Sequence, residues 1–600
     1  MIIPMKKDIF NELNKEQQRA VQSINGPSVI LAGAGSGKTR VLTYKVLNLI
    51  ENHNVDPKQI MMVTFTNKAA SEMKVRVKKN LGFIGTFHSF CVKVLRQNGA
   101  EMGVLPNFII YDGGDQEDII KDIIKNLDLP KKYSPSYILN RISYAKNQLV
   151  DENNYERLFN DYSKDIVSQV YRQYQKKLEK NNALDFDDLI FKTVLLFIRN
   201  EKILANYQNI FRYIFVDEYQ DTNHAQYTLT KLLAKKYSNI TVVGDFSQSI
   251  YSWRGAEIKN LEKFKDNFPK AKTFYLEENY RSTQNILDFA HDVISKNQTH
   301  PILKLFTSNV SGQDVIVNRL ENEQYEALYV ASEAEKLGRS NNYDYNSIAI
   351  LYRINAQSRV IEEAFLHLGI PYVLIGGTRF YERREIKDII SYIRLVVNPN
   401  DEVSLKRTIK IGKKRFDLFK KAYSELKDSK NDIKTAEIID KILQITHYAE
   451  LYDKNDEEDV SRLENIKELR SVALNYPVIN EFLEQIALVE SEYSESEKRK
   501  KDGRGVYMMT LHQAKGLEFP YVFIVGLEEG ILPHSRSIYD LYNLEEERRL
   551  FYVGITRARE KLYITHTQKR FFFGKRSTSQ ISRFLEDSES YDNQSYTEPF

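Results

Sequence analysis

A glycine-rich turn near the start of the chain has the residue types that bind phosphate groups. Between the apolar run Ser28–Leu31 and a helical pattern from Val41 stand, in order, Ala32, Gly33, Ala34, Gly35, Ser36, Gly37, Lys38 and Thr39. Backbone N–H groups of such a turn wrap around phosphates, and the N-terminus of the next helix adds favourable partial charge. We expect Lys38 to reach the β- and γ-phosphates and Thr39 to ligate Mg²⁺. An ordinary glycine-rich turn is the alternative, but the flanking strand and helix favour phosphate binding.

Two adjacent acids follow a second apolar run. Asp217 and Glu218 come directly after Tyr213–Val216, which reads as a buried strand. The carboxyl ends of parallel strands are where α/β sheets bind ligands. We expect Asp217 to hold Mg²⁺ through water and Glu218 to polarise an attacking water. Acids at a strand end can instead cap the next helix, and that alternative stays open here.

Hydrolysis of a nucleoside triphosphate also needs positive charge where the γ-phosphate leaves. Two arginines are candidates: Arg281, in the segment Glu278–Thr283, and Arg557, in the segment Val553–Arg559. Arginines at the starts of helices more often make surface ion pairs, which is the alternative for each of them.

Short apolar runs along the chain predict the elements that position these residues. A first group comprises Ser28–Leu31, Ile60–Phe65, Tyr213–Val216, Ile240–Val243 and Thr273–Leu276. A second group comprises Val315–Val317, Ile348–Leu351, Tyr372–Ile375, Val506–Met509, Tyr521–Val525 and Leu562–Thr565. Runs of this kind are typical of strands buried on both faces of a parallel sheet. The sequence therefore predicts an α/β fold with two parallel-sheet domains in tandem.

Each group of runs is interrupted by a long stretch with helical spacing. We predict a first α/β domain from residues 1–90 and 183–275, with a helical insertion at 91–182. A second α/β domain is predicted from residues 276–388 and 505–585, with a helical insertion at 389–504. The last residues, 586–600, are acidic and poor in apolar side chains, which predicts a disordered tail.

Composition limits the classes of protein to which the chain can belong. It has 86 Lys and Arg against 82 Asp and Glu, so any nucleic-acid surface must be a local patch. The single cysteine, Cys91, excludes an intrachain disulfide and a cysteine-based metal cluster. Residues Met1–Val21 lack the apolar core of a signal peptide, and no apolar run approaches the ~20 residues of a membrane helix. We therefore expect a cytoplasmic protein without a membrane partner.

Several further segments occur in a fixed order around the phosphate loop and the acids. They are Leu13–Gln17, Thr64–Ala70, Gly85–Ser89, Leu184–Leu189, Val243–Ala256, Thr510–Phe519 and Ser582–Leu585. Together with the arginine segments, they resemble the motif set of superfamily-one DNA helicases of the UvrD/Rep/PcrA group, nearly from end to end. The resemblance implies two RecA-like motor domains that use ATP and Mg²⁺. It also implies a single-stranded DNA translocase and DNA helicase that moves 3′→5′ in DNA repair or replication.

The resemblance implies a role for each residue around the nucleotide. Gln17 would read the edge of the adenine, and Arg40 and Tyr280 would sandwich the base. Glu518 would contact the ribose or phosphate side, and Gln248 would sense the γ-phosphate.

The two candidate arginines are placed by the same resemblance. Arg281 and Arg557 would come from the second motor domain and complete the site across the interdomain cleft. Nucleotide binding would then close the cleft, and hydrolysis would reopen it.

Aromatic side chains inside polar motifs are candidates for a single-strand track. Such a track stacks bases on aromatic rings and contacts the phosphates on either side. The candidate rings are Phe65, Phe186, Tyr251 and Trp253, the last being the one tryptophan in the chain. Core packing is the alternative for each of them. The resemblance implies further strand contacts by His88, Arg254, Arg353, Asn355 and His512.

The sequence also departs from the family pattern in ways that keep other functions open. The second insertion is shorter than in many family members, and Ile411–Arg415 only loosely resembles the expected glycine-centred duplex-binding turn. Phe246 and Ser247 replace the acidic pair that commonly precedes Gln248. Expected partners are single-stranded DNA, single/double-strand junctions, and repair or replication proteins.

Three alternatives to a processive helicase remain. A translocase could strip proteins from single strands with little unwinding, and a motor could use RNA, since stacking does not read the 2′-hydroxyl. A nucleotide-dependent binding switch would need only one α/β domain, whereas two are predicted.

Overall fold

The computed structural model describes residues 10–130, 133–160, 162–341, 344–429, 433–454, 456–499, 504–572 and 575–587. The chain divides into two compact units. Unit 1 comprises Met1–Arg281 and Asn297–Asn309, and unit 2 comprises Ser282–Lys296 and Val310–Phe600. Of the predicted acidic tail, Glu586 ends the short helix Arg583–Glu586, and residues 588–600 lie outside the described part.

Unit 1 contains a six-stranded parallel sheet. Its strands are β1 (Ser28–Ala32), β2 (Ile60–Thr64), β3 (Phe83–Thr86), β4 (Tyr213–Val216), β5 (Ile240–Gly244) and β6 (Lys272–Leu276). They are ordered β3-β2-β4-β5-β1-β6, and every pairing is parallel. All residues of β1, β2 and β5 are buried, as expected for central strands covered on both faces. The first group of apolar runs was therefore predicted correctly, and only β3 is additional.

Helices cover this sheet and fill the first insertion. Those around the sheet are Lys15–Gln22, Lys38–Glu51, Asn67–Val77, Phe87–Asn98, Phe186–Arg199, Glu201–Ile210, His224–Ala234 and Asn260–Asn267. Those of the insertion are Gly113–Asn126, Pro135–Asn147, Tyr155–Leu158 and Lys164–Lys180. The insertion has its own apolar core, which includes Ile123, Ile142 and Tyr171. Two short parallel strands, Ile109–Ile110 and Ala183–Leu184, pair where the insertion leaves and rejoins the rest of unit 1.

Unit 2 contains a second six-stranded parallel sheet. Its strands are β7 (Ile316–Leu320), β8 (Ile348–Tyr352), β9 (Tyr372–Leu374), β10 (Val506–Thr510), β11 (Phe519–Ile524) and β12 (Ala558–Thr567). They are ordered β7-β12-β11-β8-β10-β9, again with parallel pairings throughout. Each run of the second predicted group becomes one of these strands. The two sheets confirm the predicted α/β fold with two tandem RecA-like domains.

Helices again surround the sheet and fill the interruption between β9 and β10. Those near the sheet are Gln284–Ile294, Glu323–Ser340, Ser358–His367, Leu541–Ile555 and Arg583–Glu586. Those between β9 and β10 are Arg384–Val397, Glu402–Ile411, Lys413–Ser429, Thr435–Thr446, Glu457–Asn475 and Ile479–Arg499. In the described part of the chain, no helix has the length and apolar content needed to cross a membrane.

Candidate functional site

The glycine-rich turn joins β1 to the helix Lys38–Glu51, which begins earlier than the pattern from Val41 predicted. Gly35 and Gly37 have φ values of +66° and +84°, a region that side chains with a Cβ rarely adopt. A Cβ at Gly33 would lie 2.2 Å from Cδ2 of Leu305. Glycine is therefore needed at positions 35 and 37 for the shape of the turn, and Gly33 leaves room for Leu305, which supports the predicted phosphate loop.

The candidate metal ligands lie side by side next to this loop. The Thr39 hydroxyl is 3.4 Å from Oδ2 of Asp217, which follows β4 and is buried. Burial and the neighbouring charge of Glu218 raise the pKa of Asp217 to about 7, so a cation beside it would stabilise the carboxylate. A hydroxyl and a carboxylate next to a phosphate loop fit Mg²⁺, which usually keeps water and phosphate oxygens as its other ligands.

The backbone of Glu218 adopts a left-handed conformation, with φ of +52°, which is uncommon for a residue other than glycine. Strained backbone of this kind is found at functional sites more often than elsewhere. The Glu218 side chain makes no capping hydrogen bond to the turn that follows it, and the helix His224–Ala234 is capped by Asn223 instead. The helix-capping alternative for Glu218 is therefore excluded.

Two polar side chains that the sequence analysis did not select link the catalytic candidates. Gln220 donates from Nε2 to Oε2 of Glu218 at 2.6 Å, and its Oε1 accepts the backbone N–H of Asp245. Asp245 lies 3.9 Å from the Lys38 ammonium and accepts a 2.7 Å hydrogen bond from Nε2 of Gln248. Asp245 thus connects the predicted phosphate-binding lysine with the predicted γ-phosphate sensor. Its position after β5 was a usable signal, since the same rule selected Asp217 after β4.

The structure brings the predicted base-binding residues together on unit 1. The backbone N–H of Tyr280 donates to the Gly35 carbonyl at 3.0 Å, and its side chain is 45% exposed. Burial and a hydrogen bond to Glu278 raise the pKa of Tyr280, and the nearby charge of Arg40 opposes that shift. Arg40 is exposed. An exposed ring and an exposed guanidinium next to the loop fit the predicted sandwich around a base.

Gln17 lies at the phosphate loop, but both ends of its amide have protein partners. Nε2 donates to the Ser36 carbonyl at 2.9 Å, and Oε1 accepts the backbone N–H of Asn14 at 3.1 Å. Gln17 is fully buried as part of the capping box of its own helix. In this arrangement Gln17 supports the loop, and its amide keeps a second N–H and a second lone pair with which it could read the adenine edge.

Arg281 belongs to unit 1, with the phosphate loop, although the sequence placed it in the second domain. Asn279 explains this position because it makes two short hydrogen bonds. Its Nδ2 donates to the Ala34 carbonyl at 2.7 Å, and its Oδ1 accepts the backbone N–H of Arg281 at 2.7 Å. One buried amide therefore fixes the Arg281 backbone to the phosphate loop. Sequence reasoning missed Asn279, although it lies in the segment that supplied Tyr280 and Arg281.

Arg557 belongs to unit 2 and is fully buried. Its guanidinium donates to the Val553 carbonyl at 2.9 Å, the Leu517 carbonyl at 3.1 Å and the Thr556 hydroxyl at 3.1 Å. These bonds exclude the alternative that Arg557 makes a surface ion pair. Glu518, also in unit 2, is half exposed and lies 3.8 Å from Nη1 of Arg559.

The predicted stacking residues of unit 1 differ in exposure. The Phe186 side chain is 51% exposed and Trp253 is 45% exposed, so the core-packing alternative fails for both. Phe186 makes an edge contact with His88 at 5.8 Å, and burial lowers the pKa of that histidine. Tyr251 makes an edge contact with Trp253 at 6.3 Å.

Phe65 and Arg254 are less clearly placed for strand binding. Phe65 is half-buried and packs its ring edge on Phe87 at 5.6 Å, so it is partly a core residue. Arg254 ends the short turn Ser252–Arg254, and its side chain lies outside the described part of the chain.

The predicted strand contacts of unit 2 have protein partners. Arg353 forms an ion pair with Glu547, with Nη2 2.7 Å from Oε1 and Nε 3.0 Å from Oε2. Asn355 donates to the Ser461 hydroxyl at 3.1 Å. Burial alone would raise the pKa of Glu547, but Arg353 and, more weakly, His534 and His512 lower it, which places His512 near the same carboxylate. The structure therefore groups Arg353 and His512, but a phosphate contact by Arg353 would have to compete with Glu547.

Comparison with known proteins decides the family. The family model for the UvrD/REP helicase N-terminal domain matches residues 13–269, and that for the UvrD-like helicase C-terminal domain matches residues 274–450 and 413–569. The chain belongs to the UvrD/REP helicase family. A relative from Staphylococcus epidermidis, named ATP-dependent DNA helicase PcrA, is 42% identical over 637 aligned positions, covering 96% of this chain and 86% of the relative. The protein of the same name from Staphylococcus aureus is 43% identical with the same coverage.

The family match confirms the resemblance that the motifs indicated. The N-terminal match encloses the phosphate loop, Asp217, Glu218 and Gln248. The C-terminal match starts at residue 274, before Arg281, whereas the packing of this UvrD/REP helicase groups Arg281 with unit 1. Residues 274–281 lie with unit 1 because β6 pairs with β1, and Asn279 and Tyr280 then bond to the phosphate loop.

We expect Asn279→Ala to reduce the ATPase rate constant of this UvrD/REP helicase by ~10²-fold with little change in KM. The substitution removes the amide that fixes Arg281, the predicted γ-phosphate arginine, and small misplacements of a catalytic group have effects of that size. Steady-state ATPase measured with saturating oligo-dT tests this. Asn285→Ala is a matched control, since Asn285 is a half-buried asparagine whose side chain bonds to Gly312 and Asp314 and not to the phosphate loop. A change confined to KM, or an equal loss in both variants, would contradict the positioning role.

Proposed function

We propose that this protein is an ATP-dependent DNA helicase that moves along single-stranded DNA. One observation carries the enzymatic part: Thr39, Asp217 and Glu218 meet beside a loop whose backbone requires glycine at positions 35 and 37. Membership of the UvrD/REP family supports the nucleic-acid part, as do the names of relatives that cover nearly the whole chain.

Each group in the nucleotide site has a chemical task in this proposal. Lys38 binds the β- and γ-phosphates, and Thr39 and Asp217 hold Mg²⁺, the latter through water. Bound Mg²⁺ supplies positive charge that neutralises the phosphate oxygens. Glu218 accepts a proton from the attacking water, and its hydrogen bond from Gln220 orients the carboxylate. Arg281 stabilises the charge that develops on the γ-phosphate.

The link between hydrolysis and DNA lies in one short segment of unit 1. Gln248 ends the turn Phe246–Gln248, and Trp253 lies in the next turn, Ser252–Arg254. A γ-phosphate that displaces the Gln248 amide from Asp245 would disturb a segment that also carries an exposed stacking ring. This proximity supports translocation driven by the nucleotide cycle rather than a binding switch without movement.

Several finer points belong to the same proposal. Movement is 3′→5′, the preferred substrates include single/double-strand junctions, and the protein acts in the cytoplasm in DNA repair or replication. These points are supported by the family resemblance. Duplex binding has local support in unit 2, where Gly412 separates the helices Glu402–Ile411 and Lys413–Ser429. The second helix begins with Lys413, Lys414 and Arg415, three basic residues at a glycine turn.

Strand displacement on tailed duplexes tests the proposal. We expect a duplex with a 3′ single-stranded tail to be separated with ATP and Mg²⁺, and a duplex with a 5′ tail to remain paired. A parallel assay uses a biotinylated single strand of DNA whose biotin is occupied by streptavidin. Removal of streptavidin without strand separation would identify a protein-stripping translocase, and separation of the 5′-tailed duplex alone would refute the polarity.

Trp253 provides a direct signal for strand binding. We expect its fluorescence to be quenched by oligo-dT, with no second tryptophan in the chain to obscure the change. Trp253→Ala should lose ~1–3 kcal/mol of strand binding, the usual contribution of a stacking platform. At saturating DNA the variant should still hydrolyse ATP but move fewer nucleotides per ATP.

Tyr325→Ala is the control for this substitution, since Tyr325 is a 54% exposed aromatic on unit 2 outside the strand candidates. If the wild-type fluorescence does not respond to DNA and Trp253→Ala translocates normally, Trp253 is not a strand-binding residue.

A further inference from the structure

Lys146 is a fully buried cation at the end of the insertion helix Pro135–Asn147. Its Nζ lies 2.6 Å from Oδ2 of Asp185 and 3.0 Å from Oδ1 of Asp188. Burial alone would lower the pKa of Lys146, but the two carboxylates outweigh that effect and raise it, so the lysine stays charged. Both carboxylates belong to the N-terminus of the helix that starts at Phe186, where Asp185 is the N-cap. Lys146 therefore fixes the helix end that carries an exposed stacking ring.

The next two side chains reach other parts of unit 1. Asn147 accepts a hydrogen bond at 2.7 Å from Nδ2 of Asn223, the N-cap of the helix His224–Ala234. Gln148 donates from Nε2 to Oε1 of Glu257 at 2.8 Å. Three consecutive residues thus bind three separate elements, and we call Lys146, Asn147 and Gln148 the insertion junction.

The junction also contacts the segment that carries Trp253. Gly255 ends the tryptophan turn with φ of +84°, and a Cβ at this position would lie 3.9 Å from Cβ of Asn147. Glu257, the partner of Gln148, donates its backbone N–H to the Thr222 carbonyl at 3.1 Å. The residues just after Trp253 are therefore held between the insertion helix and the rest of unit 1.

We propose that the insertion junction positions the strand-binding face by fixing Phe186 and Trp253 relative to each other. Lys146 holds the base of the Phe186 helix, and Gln148 holds Glu257 just after the tryptophan turn. Asn147 holds Asn223, which directly follows Thr222, the backbone partner of Glu257. Because one helix end makes all three contacts, a shift of either aromatic must strain the same short segment. The first insertion then acts as a brace that keeps two stacked bases in register during ATP turnover. This inference rests on the proposed function, in which both rings bind the strand.

The composition of the junction favours positioning over simple stabilisation. A buried ion cluster is weak support for stability, since apolar residues of similar volume often serve as well or better. Directional bonds from three adjacent side chains instead specify one orientation of the helix end. A stabilising role alone would not require contacts with both aromatic segments.

Gln148→Ala and Asn147→Ala in the full chain test this proposal. Gln148→Ala leaves no buried charge without a partner, since Glu257 also pairs with Lys263. Quenching of Trp253 fluorescence by oligo-dT measures affinity, and ATP consumed per nucleotide translocated measures coupling. We expect each variant to bind oligo-dT about tenfold more weakly, because a misplaced ring loses part of the binding that one stacking platform contributes. We also expect more ATP per nucleotide and an unchanged ATPase rate without DNA.

Asn153→Ala is the matched control, since Asn153 is an exposed asparagine in the same insertion. If both junction variants keep the affinity and the coupling of the wild type, the proposal is overturned. This holds even if their melting temperatures fall, because the junction would then have only a structural role. A wild-type protein without DNA-dependent quenching or ATPase stimulation would refute the proposed function itself, and the inference with it. If the wild type responds to DNA and the two junction variants respond in the same way, the inference alone is refuted.

Discussion

Glu218→Gln is expected to retain ATP binding and to lower the rate of hydrolysis by ~10²–10⁴-fold, the usual contribution of a general base. The amide has nearly the same shape but cannot accept a proton from the attacking water. In the wild type, Gln220 donates to the Glu218 carboxylate at 2.6 Å, and in the variant it can still donate to the oxygen of the new amide. The backbone at this residue should therefore keep its conformation. Phosphate release at saturating oligo-dT and binding of a fluorescent ATP analogue measure the two quantities separately.

Glu262→Gln is a suitable control for this prediction. Glu262 lies on the helix Asn260–Asn267 of the same unit and is exposed. Its substitution removes one negative charge from unit 1 without touching the phosphate loop. Near-normal turnover by Glu218→Gln in the presence of DNA would show that another group takes the proton.

Arg281→Ala is expected to leave ATP affinity within several-fold and to cut the catalytic rate by ~10³-fold, as the loss of an arginine finger does. Its melting temperature should be unchanged, since the structure anchors this segment through Asn279 and not through the guanidinium alone. Arg557→Ala should lower the rate to a similar extent if it has the role that the resemblance implies. Arg557→Ala should also lower the melting temperature, because a fully buried side chain and its three hydrogen bonds are lost.

Parallel ATPase assays and thermal unfolding of both variants test this pair of predictions. Arg339→Ala is the control, since Arg339 makes an exposed ion pair with Glu335 whose loss should have little effect. An arginine whose loss weakens ATP binding but leaves the rate at saturating ATP unchanged does not act in the transition state.

Most of the sheet architecture could be predicted from the sequence because the central strands are continuous apolar runs. β3 was missed as a strand, since Gly85 and Thr86 occupy half of Phe83–Thr86 and hide its apolar character. Its place next to β2 depends on pairing with residues far from it in the chain. Local patterns cannot supply that information.

The candidate nucleotide site was predictable where a residue type and its local spacing indicate its task. Lys38, Thr39 and Asp217 are of this kind, and the structure brings them together. Asn279 and Gln220 were not predictable in the same way, because an amide gains its role only from partners that folding supplies. Asn279 bonds to the Ala34 carbonyl, which is 245 residues away in sequence.

The strand-binding candidates show the same limit. An aromatic residue inside a polar motif can be core or surface, and only folding separates exposed Phe186 and Trp253 from half-buried Phe65. The ion pair of Arg353 with Glu547 joins residues 194 positions apart, so no local pattern could indicate it.

ATP hydrolysis measured with single-stranded DNA, duplex DNA and single-stranded RNA tests the central claim most directly. The proposed single-strand DNA motor should be stimulated strongly by oligo-dT, and much less by blunt duplex DNA or by oligo-U of the same length. Equal stimulation by RNA would contradict the preference for DNA. A rate that no nucleic acid changes would contradict the motor itself and leave a nucleotide-dependent binding switch.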